Sequence, residues 1–194
     1  MTVVKKKSHN DGRKARSLKS REAIKKALGD LMSEGVRIPT AQQVSDRAKV
    51  GIRTVFRHFD DMESLFYSLH EDIKESEYGF LRQSIIEGPL EERVDAFLRA
   101  RHVLYIKYRE MILSTLSQLW KYQALKNTYE DLNSIFKQHL FLCLPELKGK
   151  DVPTQQFVEA LVSFEAWNRL TRHQGMSRDD AKDLLQGQLE SLLK

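Results

Sequence analysis

Apolar residues recur at intervals of three and four along almost the whole chain beyond residue 23, and no useful stretch alternates apolar with polar. That spacing paints one stripe on an α-helix, whereas a half-buried strand needs a period of two. An all-α fold is therefore expected. The first stripe is Ile24, Ala27, Leu28, Leu31 and Met32, with Gly35 placed to stop the helix. Later stripes are Leu65, Phe66, Leu69, Ile73 and Phe80, then Val94, Phe97, Leu98, Leu104, Tyr105 and Tyr108 beyond a break at Gly88-Pro89. Leu125, Tyr129, Leu132, Phe136, Leu140 and Cys143 mark a further helix, followed by a loop from Pro145 to Pro153. Residues 154–173 are apolar almost all round, and a last helix is expected from about Asp179.

Thr40 with Gln43 three residues on has the spacing of a capping box, in which each side chain satisfies an orphan backbone N–H of the other residue. Asp60 and Glu63 repeat that spacing. Residues 1–59 hold fifteen Lys or Arg against five Asp or Glu, while 60–194 hold seventeen against twenty-two. A basic end on a mildly acidic body points to a polyanion at one end only. Residues 1–14 are polar, basic and aperiodic, and are expected to form a disordered arm. The lone Cys143 cannot form an internal disulfide and reads as a small buried hydrophobe. No stretch is apolar enough to span a membrane or serve as a secretory signal, so a cytoplasmic location is expected.

The segment Thr40–Phe59 reads as two short helices joined by a turn near 49–51. Val44, Ala48, Val50 and Val55 would face inward. The second helix would then present Ile52, Arg53, Thr54, Arg57 and His58, with arginines able to pair with guanine edges in a major groove. Phe56 is open to two readings, core or surface. His58 near Asp61 is too small a set to make a metal site.

This segment resembles the signature of the TetR family of transcriptional regulators. The residues that carry the resemblance are Ala48-Lys49-Val50, Thr54-Val55-Phe56-Arg57-His58-Phe59 and Asp60-Asp61-Met62-Glu63-Ser64-Leu65-Phe66. Two positions depart from the pattern. Lys49 stands where the family usually has a turn glycine, and Met62 where it often has a phosphate-contacting lysine. Phe56 also replaces the commoner tyrosine, so the hydroxyl-to-phosphate bond is absent. The resemblance implies a helix-turn-helix DNA-binding domain over 15–60 and a helical ligand-binding and dimerisation domain over 61–194. It implies DNA contact through Thr40, Gln42, Ile52, Arg53, Thr54, Phe56, Arg57 and His58. The cationic Arg13, Lys14, Arg16, Lys19 and Arg21 could reach flanking phosphates or a minor groove.

The resemblance further implies a homodimer on a pseudo-palindromic double-stranded operator, released by a small-molecule effector. Phe164, Trp167, Leu170, Leu185, Leu189 and Leu192 are the candidate pairing surface. Phe97, His102, Tyr105, Trp120, Phe136 and His139 are candidate pocket residues, with Tyr122 and Trp167 beside them; at helical spacing such aromatics are usually core. No phosphate loop, nucleophile elbow, metal-ligand cluster or carboxylate pair is present, so neither an enzyme nor a bound cofactor is expected. The remaining rival is a helical adaptor that uses the helix-turn-helix to hold another protein.

Overall fold

The structure, a computed structural model, describes residues 9–194, with side chains from residue 12 on. The described residues form nine α-helices with one 3-10 turn and one π turn, and no strand. In order these are α1 (His9–Ser33), α2 (Ala41–Ala48), α3 (Ile52–His58), α4 (Met62–Gln83), α5 (Leu90–Leu116), α6 (Gln123–Cys143), a 3-10 turn (Pro145–Gly149), α7 (Val152–Leu161), α8 (Phe164–Asn168), a π turn (Arg169–His173) and α9 (Arg178–Leu193). The all-α expectation holds. None of the helices among the described residues is long and apolar enough to cross a membrane.

The chain divides into two compact units, one of residues up to 73 plus 110–128, the other of 74–109 plus 129–194. The helices α4, α5 and α6 each give residues to both. In the first unit the expected stripe of α1 is the core: Ile24, Ala27, Leu28, Leu31 and Met32 are buried, with Val44, Val55, Phe59, Leu65 and Phe66. Each of these side chains except Ala27 contributes roughly 1.5–3 kcal/mol when taken out of water. Gly35, at φ +93, ends α1 in a Schellman turn, with Val36 N–H donating to Leu31 O and Gly35 N–H to Met32 O.

Helix α1 begins at His9, so residues 9–14 are helical rather than an aperiodic arm; residues 1–8 lie outside the described residues. The apolar spacing could not reveal this start, because residues 12–19 are exposed on every side and carry no stripe. Their Lys, Arg, Ala and Leu content sustains a helix once the buried part has nucleated it.

The capping box at Thr40 forms as expected: Gln43 N–H donates to Thr40 Oγ1 at 3.3 Å, and Thr40 N–H to Gln43 Oε1 at 2.9 Å. The second box is shifted by one residue. Ser64 N–H donates to Asp61 Oδ1 at 2.8 Å and Asp61 N–H to Ser64 Oγ at 3.3 Å, so Asp61 and Ser64 cap α4 rather than Asp60 and Glu63. Glu63 is used elsewhere: its Oε1 accepts from Ala124 N–H, 2.6 Å away, in the first turn of α6.

In the second unit, α5, α6, α7 and α9 surround Val94, Phe97, Leu98, Leu140, Leu144, Val158 and Leu189. Residues 154–173 do not form one helix. The chain breaks at Val162, restarts where Ser163 Oγ accepts from Ala166 N–H at 3.2 Å, and loosens into the π turn. The apolar pattern runs straight across that break, which is why spacing alone does not reveal it.

Lys49 sits at φ 56, ψ 42, the one non-glycine residue at positive φ among the described residues. Val50 N–H donates to Ser45 O and Lys49 N–H to Asp46 O, completing a Schellman turn that normally favours glycine. Replacing Lys49 by Gly relieves the crowding of its Cβ and should stabilise the protein by about 1 kcal/mol in urea denaturation.

Candidate nucleic-acid interface

The helix α3 has only seven residues, and one turn of geometry decides what each can do. At 100° per residue, Ile52, Phe56, Arg53 and Arg57 fall within one arc of about 140°, with Val55 on the far side. Val55 is buried, while all four residues of the arc are exposed, Phe56 by 46% and Ile52 by 38%. The core reading of Phe56 therefore fails. Arg53 and Arg57 form no ion pair with a described residue, and neither does the exposed Lys49 one turn away in the chain.

The other candidates lie differently. Thr54 and His58 are half-buried on the side of α3 turned away from that arc. The His58 Nε2 is enclosed without a hydrogen-bond partner, and burial, with the Arg57 and Arg21 charges beside it, lowers its pKa. Thr40 and Gln42 are exposed at the start of α2. Thr40 Oγ1 also holds Gln43, and Gln42 Nε2 donates to Asp46 Oδ1 at 2.8 Å. Arg13, Lys14, Arg16 and Lys19 are exposed on α1, so they stand on a helix rather than in an irregular segment. Val44 is buried, but Ala48 and Val50 are only half-buried.

Arg21 departs from its expected place among the outward cations. Its Nη1 donates to His58 O at 2.6 Å, its Nη2 to Ser68 Oγ at 3.3 Å, and its guanidinium lies 4.1 Å from the Phe59 ring centroid. It thus ties α1 to the carbonyl end of α3, where a cation also complements the helix dipole. Arg47 is likewise spent, in a two-point pair with Glu34 at 2.7 Å. Met62 is half-buried at the first residue of α4.

The candidate pocket residues separate. Trp120 is 81% exposed in the connection between α5 and α6, its indole N–H donating to Ser117 O, and it belongs to the first unit. Tyr122, also there, packs its ring at a tilt on Phe66, with ring centroids 5.7 Å apart. Phe97, His102, Tyr105 and His139 are buried in the second unit, with Phe136 half-buried. Burial lowers the pKa of His102 and of His139 to about 4, and raises the Cys143 thiol to about 11.

Of the candidate pairing residues, Phe164, Trp167, Leu185 and Leu189 are buried within the chain's own fold, leaving Leu170 and Leu192 half-buried. Their apolar mass closes the single chain first. The exposed apolar side chains of the same region are Val152, Phe157 and Leu184.

No family model matches the chain, and no curated protein matches it. The fold is shared with the solved structure of "the putative transcriptional regulator from Pseudomonas aeruginosa PAO1". The two align with a TM-score of 0.64 over 93% of this chain and 91% of that one, at 14% sequence identity. At that identity the likeness is one of fold.

Two roles escaped the sequence reading. Lys49 stands out in the sequence only as a misfit in a glycine turn, yet its charge is exposed next to α3. Arg101, discussed below, is buried, and nothing in a stripe of apolar residues marks a neighbouring arginine as inward.

Removing the guanidinium in Arg21→Met leaves the His58 carbonyl and Ser68 short of a donor and should cost about 2 kcal/mol, read in urea denaturation. Acid should act through the histidines. His102 and His139 take up protons near the ordinary 6.5 when unfolded but only near 4 when folded, so the unfolded chain binds more protons between those values. Stability is complete above pH 6.5 and is lost as pH falls toward 4, so the thermal midpoint should drop across that window.

Proposed function

We propose that this chain is a DNA-binding transcriptional regulator of the TetR type, with α2 and α3 as its helix-turn-helix. The observation that carries the reading is the outer arc of α3. Arg53 and Arg57 are exposed and unpaired, on a helix narrow enough to enter a major groove. Thr40 and Gln42 flank that arc, and Arg13, Lys14, Arg16 and Lys19 extend the positive surface along α1. Phe56 contributes apolar contact to sugar or thymine methyl in place of a hydroxyl-to-phosphate bond. The fold shared with a protein named as a putative transcriptional regulator agrees with this reading.

The reading includes a cytoplasmic homodimer, two recognition helices on a pseudo-palindromic operator, repression, and release by a small-molecule effector. In this reading the effector acts through α4, which gives residues to both units and whose Met62 end follows α3 in the chain. The effector must favour one conformation over the other by a few kcal/mol for this to release DNA. The half-buried Leu170 and Leu192 with the exposed Leu184 form the surface through which copies would pair.

One observation favours a second reading. Ile52 and Phe56 put apolar surface on the same arc as the arginines, as an adaptor that binds a protein would. Ionic strength separates the two, since phosphate contacts weaken steeply with salt.

Selection from random duplexes should enrich a pseudo-palindrome, with affinity falling steeply between low and physiological salt. Arg53→Ala and Arg57→Ala should each weaken that complex by roughly 1–3 kcal/mol and flatten its salt dependence. Salt-insensitive retention on any duplex, or none at all, would overturn the regulator reading in favour of the adaptor.

A further inference from the structure

The second unit buries a cation with no carboxylate against it. Arg101 on α5 is 3% exposed and forms no ion pair with a described Asp or Glu. Its guanidinium lies 4.1 Å from the Phe136 ring centroid and 5.0 Å from that of Phe97, and its Nη2 donates to the Phe136 carbonyl. Its Nε is buried with no acceptor. The acids of the facing helices are already held, Glu159 by Lys137 at 2.8 Å and Glu165 by the Tyr129 hydroxyl.

A second buried donor of the same kind stands nearby. On the α5 wheel Tyr105 falls between Arg101 and His102, at about 40° against 0° and 100°. The Tyr105 ring lies 6.1 Å from that of Phe136 and 5.7 Å from that of Trp167, centroid to centroid, and Trp167 also meets His102 at 6.0 Å. The Trp167 indole N–H is buried and has no acceptor, and the His102 Nε2 has no partner either. Arginine and tryptophan nitrogens can only donate, and buried donors are almost always satisfied. The cluster therefore holds a positive charge, two unmet obligate donors and aromatic walls, with no carboxylate among them. The Tyr105 hydroxyl donates to Val162 O at 2.8 Å, and its neutral oxygen is the side-chain acceptor beside Arg101, which leaves the charge without a counter-charge.

We infer that this cluster is an effector site for a small aryl carboxylate: the anion accepts from Arg101 and Trp167, with His102 beside it, and the aryl ring packs among Tyr105, Phe136 and Trp167. The wall that yields to admit it is α8, five residues set between the break at Val162 and the π turn, with fewer regular backbone bonds than a continuous helix. A carboxylate restores the missing acceptor and pairs the buried charge at once, so a neutral amide of the same shape is rejected. The inference names the effector class of the proposed regulator, although the binding itself requires no DNA.

Benzoate, benzamide and benzyl alcohol are the probes, titrated into the full chain carrying Trp120→Phe, with calorimetry and the fluorescence of Trp167 as readouts. Trp120 belongs to the other unit, and its removal leaves one tryptophan as emitter. Benzoate should bind saturably and shift Trp167 emission, with the two neutral probes weaker by about tenfold or more. Arg101→Met should abolish that preference. Should that variant fail to fold, Trp167→Phe, which keeps a ring and loses only the N–H, should weaken benzoate in calorimetry. No saturable benzoate binding, equal binding of benzoate and benzamide, or undiminished binding in the foldable variant would overturn the inference. Because these titrations contain no duplex, their failure leaves the DNA reading intact, and failure of DNA binding leaves the site intact.

Discussion

Neither α2 nor α3 is long enough to persist alone in water: with eight and seven residues they fall below the length at which isolated helices are stable. Both exist because α1 offers them a continuous aliphatic stripe. Ile24, Leu28 and Met32 are fully enclosed, and so are Val44 of α2 and Val55 of α3. Everything proposed for the outer arc of α3 depends on that burial, since an arc of exposed residues has meaning only on a helix whose opposite side is pinned. The pinning is also electrostatic. Arg21 reaches from α1 to the last carbonyl of α3, and Arg47 returns from α2 to Glu34 at the end of α1.

These contacts divide the basic third of the chain into two populations. Lys25, Arg21 and Arg47 are structural cations, each engaged by carboxylates, carbonyls or rings. Arg53, Arg57 and Lys49 form no ion pair with described residues and face solvent. Only the second population raises the potential seen by a polyanion. The charge bias read from composition thus overstates the cations free to act.

The second unit treats charge in the opposite way. Arg93 pairs with Glu146, and Lys182 with Asp95 at 2.8 Å, where solvent is near. Arg101 is instead enclosed among rings, and the acids on the facing helices are committed elsewhere. Taking a charge out of water without a counter-charge is costly, and a well-packed apolar core avoids it. The π turn and the helix break beside Trp167 add a further local departure from regular packing in the same place.

Apolar spacing by itself determined the all-α class, the stripes of α1, α5, α6 and α9, and the stop at Gly35. The capping box at Thr40 was equally legible, because caps and stripes are set by neighbours within four residues. Beyond that reach the sequence misled. Residues 9–14 looked aperiodic because a fully exposed helix leaves no apolar trace. The run 154–173 showed no interruption because the break at Val162 interrupts backbone, not hydrophobicity. Phe164, Trp167, Leu185 and Leu189 looked like surplus for a second copy, but the chain buries them itself. Only tertiary structure decided that Arg21 turns inward, Phe56 outward, and Arg101 into an aromatic enclosure. Each of those outcomes depends on what a distant segment places opposite the side chain, and no local pattern encodes it.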